Sequence, residues 1–194
     1  MLKTKVRLLS IACIISLSII SCKDTYTPKP RGFQRFEFPP KQYKPYTNSC
    51  GFSFEIPDYA VVLPDFSSEH QKCWVNVFYQ PYNATLHISY DKAKSRTELF
   101  KLMEDARTLV YKHTIKADEI YETQIQNKYL QGMIYDLSGN TATNFQFYVS
   151  DTVSNYIRGA LYFNVQTNID SVKPVLNFLE KDVMHMIETI RWSN

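Results

Sequence analysis

The thiol with the most distinctive chemical prospects is Cys22. It closes Ile19-Ile20-Ser21-Cys22. An aliphatic residue, a small residue and then cysteine resembles the lipobox at which a bacterial lipoprotein precursor is cut and acylated; an unmodified cysteine in a plain signal peptide is the alternative. Lys3, Lys5 and Arg7 supply a basic start, and Leu8 to Ile20 an apolar run broken only by Ser10, Ser16 and Ser18. That layout is a secretory signal, and its core is shorter than a membrane span. The expectation is that residues 1–21 are removed and that Cys22 carries acyl chains. Each buried CH₂ contributes about 0.8 kcal/mol, so two or more chains anchor stably.

Of the four cysteines, Cys13 leaves with the signal and Cys22 is committed to lipid. Cys50 and Cys73 remain, an even number in an oxidising compartment, and are expected to form a disulfide. Two separate buried thiols are the alternative. No C-x-x-C and no His/Cys cluster points to a metal. The sequence also lacks a G-x-S-x-G elbow, a P-loop, a dinucleotide fingerprint and H-E-x-x-H. His70 falls in a loop. His87 alternates with Leu86 and Ile88, and His185 sits between two methionines. His113 follows a helix, where a cation suits the carboxyl-end dipole. All four read as structural. The carboxylate pairs Glu104-Asp105 and Asp118-Glu119 are adjacent on the chain and read as solvated. The expectation is a protein that is no enzyme and needs no metal or cofactor.

One stretch invites a binding role. Arg158-Gly159 lies in a strand-like run, followed by Asn164, Asn168, Asp170 and Ser171. A glycine inside a strand permits close backbone approach, and Arg158 there would bring a charge to the sheet edge. Arg158, Asn164, Asn168 and Asp170 are therefore the candidate interaction residues. The alternative is that Gly159 accommodates a helix crossing and Arg158 pairs with a carboxylate of the domain.

The elements that must position these groups follow from the periodicity. Residues 22–47 read as a tether, with prolines at 28, 30, 39, 40 and 45 that favour extended geometry. Phe33, Phe36, Phe38, Tyr43 and Tyr46 are interleaved with them, more aromatics than a spacer needs, so part of this segment is expected to dock on the domain or a partner. The domain is placed at 48–194. Strands are expected at Phe52–Ile56, Tyr59–Leu63, Trp74–Tyr79 and Thr85–Tyr90. Leu99, Leu102, Met103, Ala106, Leu109 and Val110 then fall on one helical face, behind the capping box Ser95-Arg-Thr-Glu98. Four more strands, over 119–125, 129–137, 141–150 and 156–165, form a meander. A helix over 172–190 closes the chain, with Asp170 or Ser171 as its cap and Pro174 in its first turn. Its core-facing residues are Val175, Phe178, Leu179, Val183, Met186 and Ile187. The fold class is α+β, one antiparallel sheet with two packed helices. The order of elements is similar to the Mog1/PsbP-like fold.

The precursor has 194 residues and a formal charge of +3. Lys3, Lys5 and Arg7 leave with the signal, so the rest is balanced. Residues 23–46 are basic and the domain is correspondingly acidic. The basic leash either rests on anionic headgroups or is a solvated linker, whereas an acidic exported domain argues against nucleic acid.

The sequence resembles the gliding motility lipoprotein GldD family. The resemblance is carried by the lipobox at Cys22, Pro28-Lys-Pro-Arg-Gly32, Cys50 with Phe52-x-Phe-Glu-x-Pro57, and Cys73-Trp-x-Asn76. His87-Ile-Ser-Tyr90, Tyr111 to Asp118, Gly139-Asn140, and Arg158 to Asn164 with Asn168-x-Asp-Ser171 extend it in order. Ser150-Asp-Thr152 stands where Thr-Asp-Ser is expected, a mild departure. The resemblance implies a non-catalytic envelope component of gliding, linked to type IX secretion and partnered by the membrane and other gliding or secretion lipoproteins. A lipid-anchored binder of an apolar or glycan ligand is the alternative. Lys23 stands where many inner-membrane lipoproteins carry aspartate, which favours the outer membrane, facing the periplasm.

Overall fold

A computed structural model describes residues 36–65, 73–165 and 169–193. Cys22, His70 and Asn168 lie outside the described residues. The described residues form ten strands and two α-helices: β1 (Tyr43–Asn48), β2 (Phe52–Pro57), β3 (Ala60–Pro64), β4 (Val75–Tyr79), β5 (Ala84–Lys92), α1 (Arg96–Tyr111), β6 (Ile120–Gln126), β7 (Gln131–Leu137), β8 (Thr143–Ser150), β9 (Asn155–Phe163), α2 (Ile169–Thr189) and β10 (Arg191–Trp192).

The strands divide into two antiparallel sheets where the sequence points to one. Seven follow the order β3-β4-β5-β9-β8-β7-β6, and β1-β2-β10 make a smaller sheet. The split arises because Phe52, Phe54 and Ile56 of β2 turn inward against α2 rather than continuing the edge at β3. The fold also begins before Asn48. β1 pairs with β2 from Tyr43↔Pro57 to Asn48↔Phe52. Pro45, which reads as a tether residue, is tolerated because β1 is an edge strand.

Alternation then separates two faces of the large sheet. Val77, Leu86, Ile88, Phe147, Ile157 and Leu161 face α2 and the small sheet in the main core. On the opposite face Leu99 and Ala106 of α1 bury Tyr156, and Val110 meets Tyr135 and Leu137. Leu109, expected in that seam, is 39% exposed. Val110 takes its place, because the seam runs through positions 99, 106 and 110.

Local chemistry fixes the ends. Ser95 Oγ accepts from Glu98 N–H at 3.2 Å, and Glu98 Oε2 accepts from Lys94 N–H at 2.6 Å. The helix α2 starts at Ile169, ahead of both expected caps. Its first N–H donates to Asn140 Oδ1 at 2.9 Å, a cap supplied by the β7–β8 turn. Cys50 and Cys73 form a disulfide with Cα atoms 5.8 Å apart, a normal separation. It ties the β1–β2 turn of the small sheet to the start of β4.

Candidate functional site

Arg158 lies on β9, fourth of seven strands, with Ser89 and Tyr148 as its cross-strand neighbours. It is at the sheet centre, not its edge. No carboxylate pairs with it among the described residues. Its Nη2 donates instead to Gln146 Oε1 at 2.7 Å. Gln146 is 1% exposed, and its Nε2 finds no acceptor among the described residues. Burial, and then the charge of Arg158, lower the pKa of His113. The carboxyl end of α1 thus carries a histidine biased toward its neutral form, contrary to the cation that position invites.

Gly159 serves neither an edge approach nor a helix crossing. A Cβ there would stand 2.2 Å from the Phe147 ring. The ring of the paired residue on β8 occupies the space that a side chain would need.

Asn164 is separated from Arg158. Asn164 stands six residues along the chain, roughly 20 Å of strand. It is exposed, and its Nδ2 donates to Thr85 Oγ1 at 3.1 Å. Asp170 is exposed in the first turn of α2. Arg158 and Asn164 lie apart, within β9 and just past its end, and bond to different partners.

Two further features rest on residues that no sequence motif marks. The first is a clamp on the amino-terminal arm. Asp182 of α2 is fully buried. Its carboxylate accepts from Tyr43 Oη at 2.9 Å and from Tyr59 Oη, and it pairs with Lys41 Nζ at 2.7 Å. Lys41 Nζ also donates to Phe178 O at 2.9 Å and lies 3.2 Å from the Phe178 ring centroid. Phe38 stacks on Phe178 at 4.3 Å, and Tyr43 on His185 at 3.6 Å. Burial lowers the pKa of Lys41 more than the ion pair raises it. Burial, reinforced by Asp182, raises the pKa of both tyrosines, so they stay protonated donors. A buried carboxylate needs such partners. The signal was legible in principle: Asp182 falls in the stripe Val175, Leu179, Val183, Met186, where an acid requires an explanation.

The second feature is an open groove of about 850 Å³ between α2 and the β6–β8 end of the sheet. Ile134, Phe145 and Met184 are among the residues that line it, together with Asp136, Glu180 and Glu188. Burial, and then the charge of Asp136, push Glu180 up to about 7, and burial also raises Asp136. Lys181 and His185 share the groove, but His185 Nε2 is bonded to Glu55 Oε2 at 2.6 Å.

The chain is thus a disulfide-stapled α+β domain that grips its own amino-terminal arm. It belongs to the family of the gliding motility lipoprotein GldD, whose model matches residues 23–192. No curated protein matches it. Its fold is similar to the solution structure of cyanobacterial PsbP (CyanoP) from Synechocystis sp. PCC 6803. The identity is 8%, the TM-score 0.45, and the match covers 82% of this chain and 97% of that one.

Proposed function

We propose that this gliding motility lipoprotein acts without catalysis, as a lipid-anchored scaffold that positions or stabilises components of the gliding and type IX secretion machinery. Cys22 would carry the lipid, at the outer membrane facing the periplasm. The observation that supports this reading most directly is the clamp on Asp182. Lys41, Tyr43 and Phe38 belong to the segment that leads back toward Cys22, and they are held against α2. The part of the leash nearest the domain is thereby part of the domain. A scaffold needs that: a partner bound to the sheet is then held at a set distance from the arm, whereas a flexible leash would let it wander.

The test separates anchoring from positioning. Cys22→Ser should abolish labelling by an alkyne fatty acid, release the chain from membranes and stop gliding. Asp182→Asn, which keeps the shape but removes the charge that Lys41 pairs with, should leave lipidation intact and lower both gliding and the steady-state amounts of co-captured envelope proteins. Normal gliding and partner levels in a chain without lipid would overturn the proposal.

A further inference from the structure

We propose that the outer edge of β6 and the adjoining acidic groove form a docking surface for an extended, lysine- or arginine-bearing segment of a partner protein. Three observations lead there. Among the described residues β6 pairs only with β7, so one side of Ile120–Gln126 presents unpaired backbone groups. Such an edge templates strand addition unless it is blunted. This one carries no proline and no lysine, and it is long for an edge. Five of its seven residues are exposed, Tyr121 at 56%.

On this side Thr123 of β6 is among the residues that line the groove. Tyr121, Thr123 and Ile125 face the α2 side, in register with Asp136, Ile134 and Gly132 of β7. A strand added to β6 would place alternate side chains on that same face, about 10 Å from β7, two strand spacings away. That distance is within the combined reach of a long basic side chain and the Asp136 carboxylate.

Charge then selects the occupant. Asp136 on β7 and Glu180 on α2 are half-buried, repel each other, and have no hydrogen-bond donor among the described residues. A cation would relieve both. An anionic lipid surface or a nucleic acid would be repelled by the same groups. An apolar floor beside a carboxylate rim suits a lysine or arginine, whose stem packs on Ile134 and Met184 while its head meets the acids.

The inference deepens the scaffold reading by naming the chemistry of one partner surface. Its test uses the lipid-bearing chain in neutral detergent and does not depend on gliding. The probe is an end-capped synthetic peptide of alternating valine and lysine, followed by the amide resonances and hydrogen exchange of β6. The expected result is saturable binding with slowed exchange at Ile120–Gln126. The matching valine–glutamate peptide, and the lysine peptide with alternate amides N-methylated, should not bind. Asp136→Asn combined with Glu180→Gln, both near-isosteric, should weaken the lysine peptide roughly tenfold without lowering the melting temperature. No binding of the lysine peptide, equal binding of the glutamate peptide, full binding of the N-methylated one, or an unchanged affinity in the double variant would each overturn the proposal. Cys22→Ser could still stop gliding in that case, so the two failures are distinguishable.

Discussion

Arg158 and Asp170 stand a dozen residues apart, yet the fold gives them unequal work. Arg158 satisfies the oxygen of a buried glutamine from a half-buried position. Arg158→Ala would leave both polar groups of Gln146 unpaired, and each such group costs about 1–3 kcal/mol. Asp170 is exposed in the first turn of α2, where an acid contributes about 0.3–1 kcal/mol through the helix dipole. Denaturant unfolding should therefore show a loss of about 1–3 kcal/mol for Arg158→Ala and under about 1 kcal/mol for Asp170→Ala. Equal losses would mean that the Gln146 contact carries no weight. Glu180 makes a second prediction. Its pKa is raised from 4.5 to about 7, so the fold favours its protonated form. Its contribution is fully present below about pH 4.5 and is lost as pH rises through about 7. Asp136, Glu188, Lys181 and His185 share the groove, so the contrast is made against Glu180→Gln. Relative to that variant, the melting temperature of the parent should fall between pH 5 and pH 8. Parallel curves would refute the shift.

At the scale of elements, the disulfide joins the turn of the small sheet to the start of a strand of the large one. It closes a sequence separation of 23 residues. In the chain-entropy account a loop of that size is worth about 3 kcal/mol. Cys50→Ala with Cys73→Ala, or reduction under native conditions, should lower unfolding free energy by about 2–5 kcal/mol. The loss should appear first as faster amide exchange in β1 and β2. A uniform loss across both sheets would mean that the small sheet does not open on its own. The elements themselves were largely legible in the sequence. The 3.6-residue stripes of α1 and α2 and the alternation of β4, β5 and β7 to β9 carry their own periodicity. What stayed hidden has physical causes. β10 spans two residues and has no pattern. β1 carries Pro45, which reads as linker because its permitted place, an edge strand, is known only once the sheet exists. Leu109 and Val110 share the apolar stripe, and only packing against Tyr135 decides between them. The groove pairs Asp136 with Glu180, 44 positions apart, and no spacing rule connects them. Arg158 was legible as unusual, but its partner Gln146 was not, because an amide on the next strand leaves no charge signature.

At the scale of the whole molecule, the proposed scaffold role turns on how a domain at the end of a lipid leash would hold its position. A leash that is flexible to its last residue transmits position poorly, since its reach spreads roughly as the square root of its length. Here the last segment of the leash is not free. Phe38 stacks on Phe178, Lys41 and Tyr43 bind the buried Asp182, and β1 completes the small sheet. The clamp also shields Asp182, which without its partners would be an isolated charge in the core. Asp182→Ala deletes that charge but strands Lys41, Tyr43 and Tyr59. Breaking a buried pair by removing one partner costs about 3–5 kcal/mol. Part of that loss should be local. Protection of β1 amides should fall further than protection of β9, and protease sites near residues 36–43 should open while the large sheet stays folded. A leash lengthened by a Gly/Ser insert ahead of Phe36 makes the complementary variant: the clamp is intact but the domain stands farther out. If position is what the protein supplies, both variants should reach the membrane, carry lipid and fold, and both should glide poorly. If only the clamp variant fails, stability of the domain is the requirement and the standing height is not. If the lengthened leash alone fails, height matters and the clamp serves only to solvate Asp182.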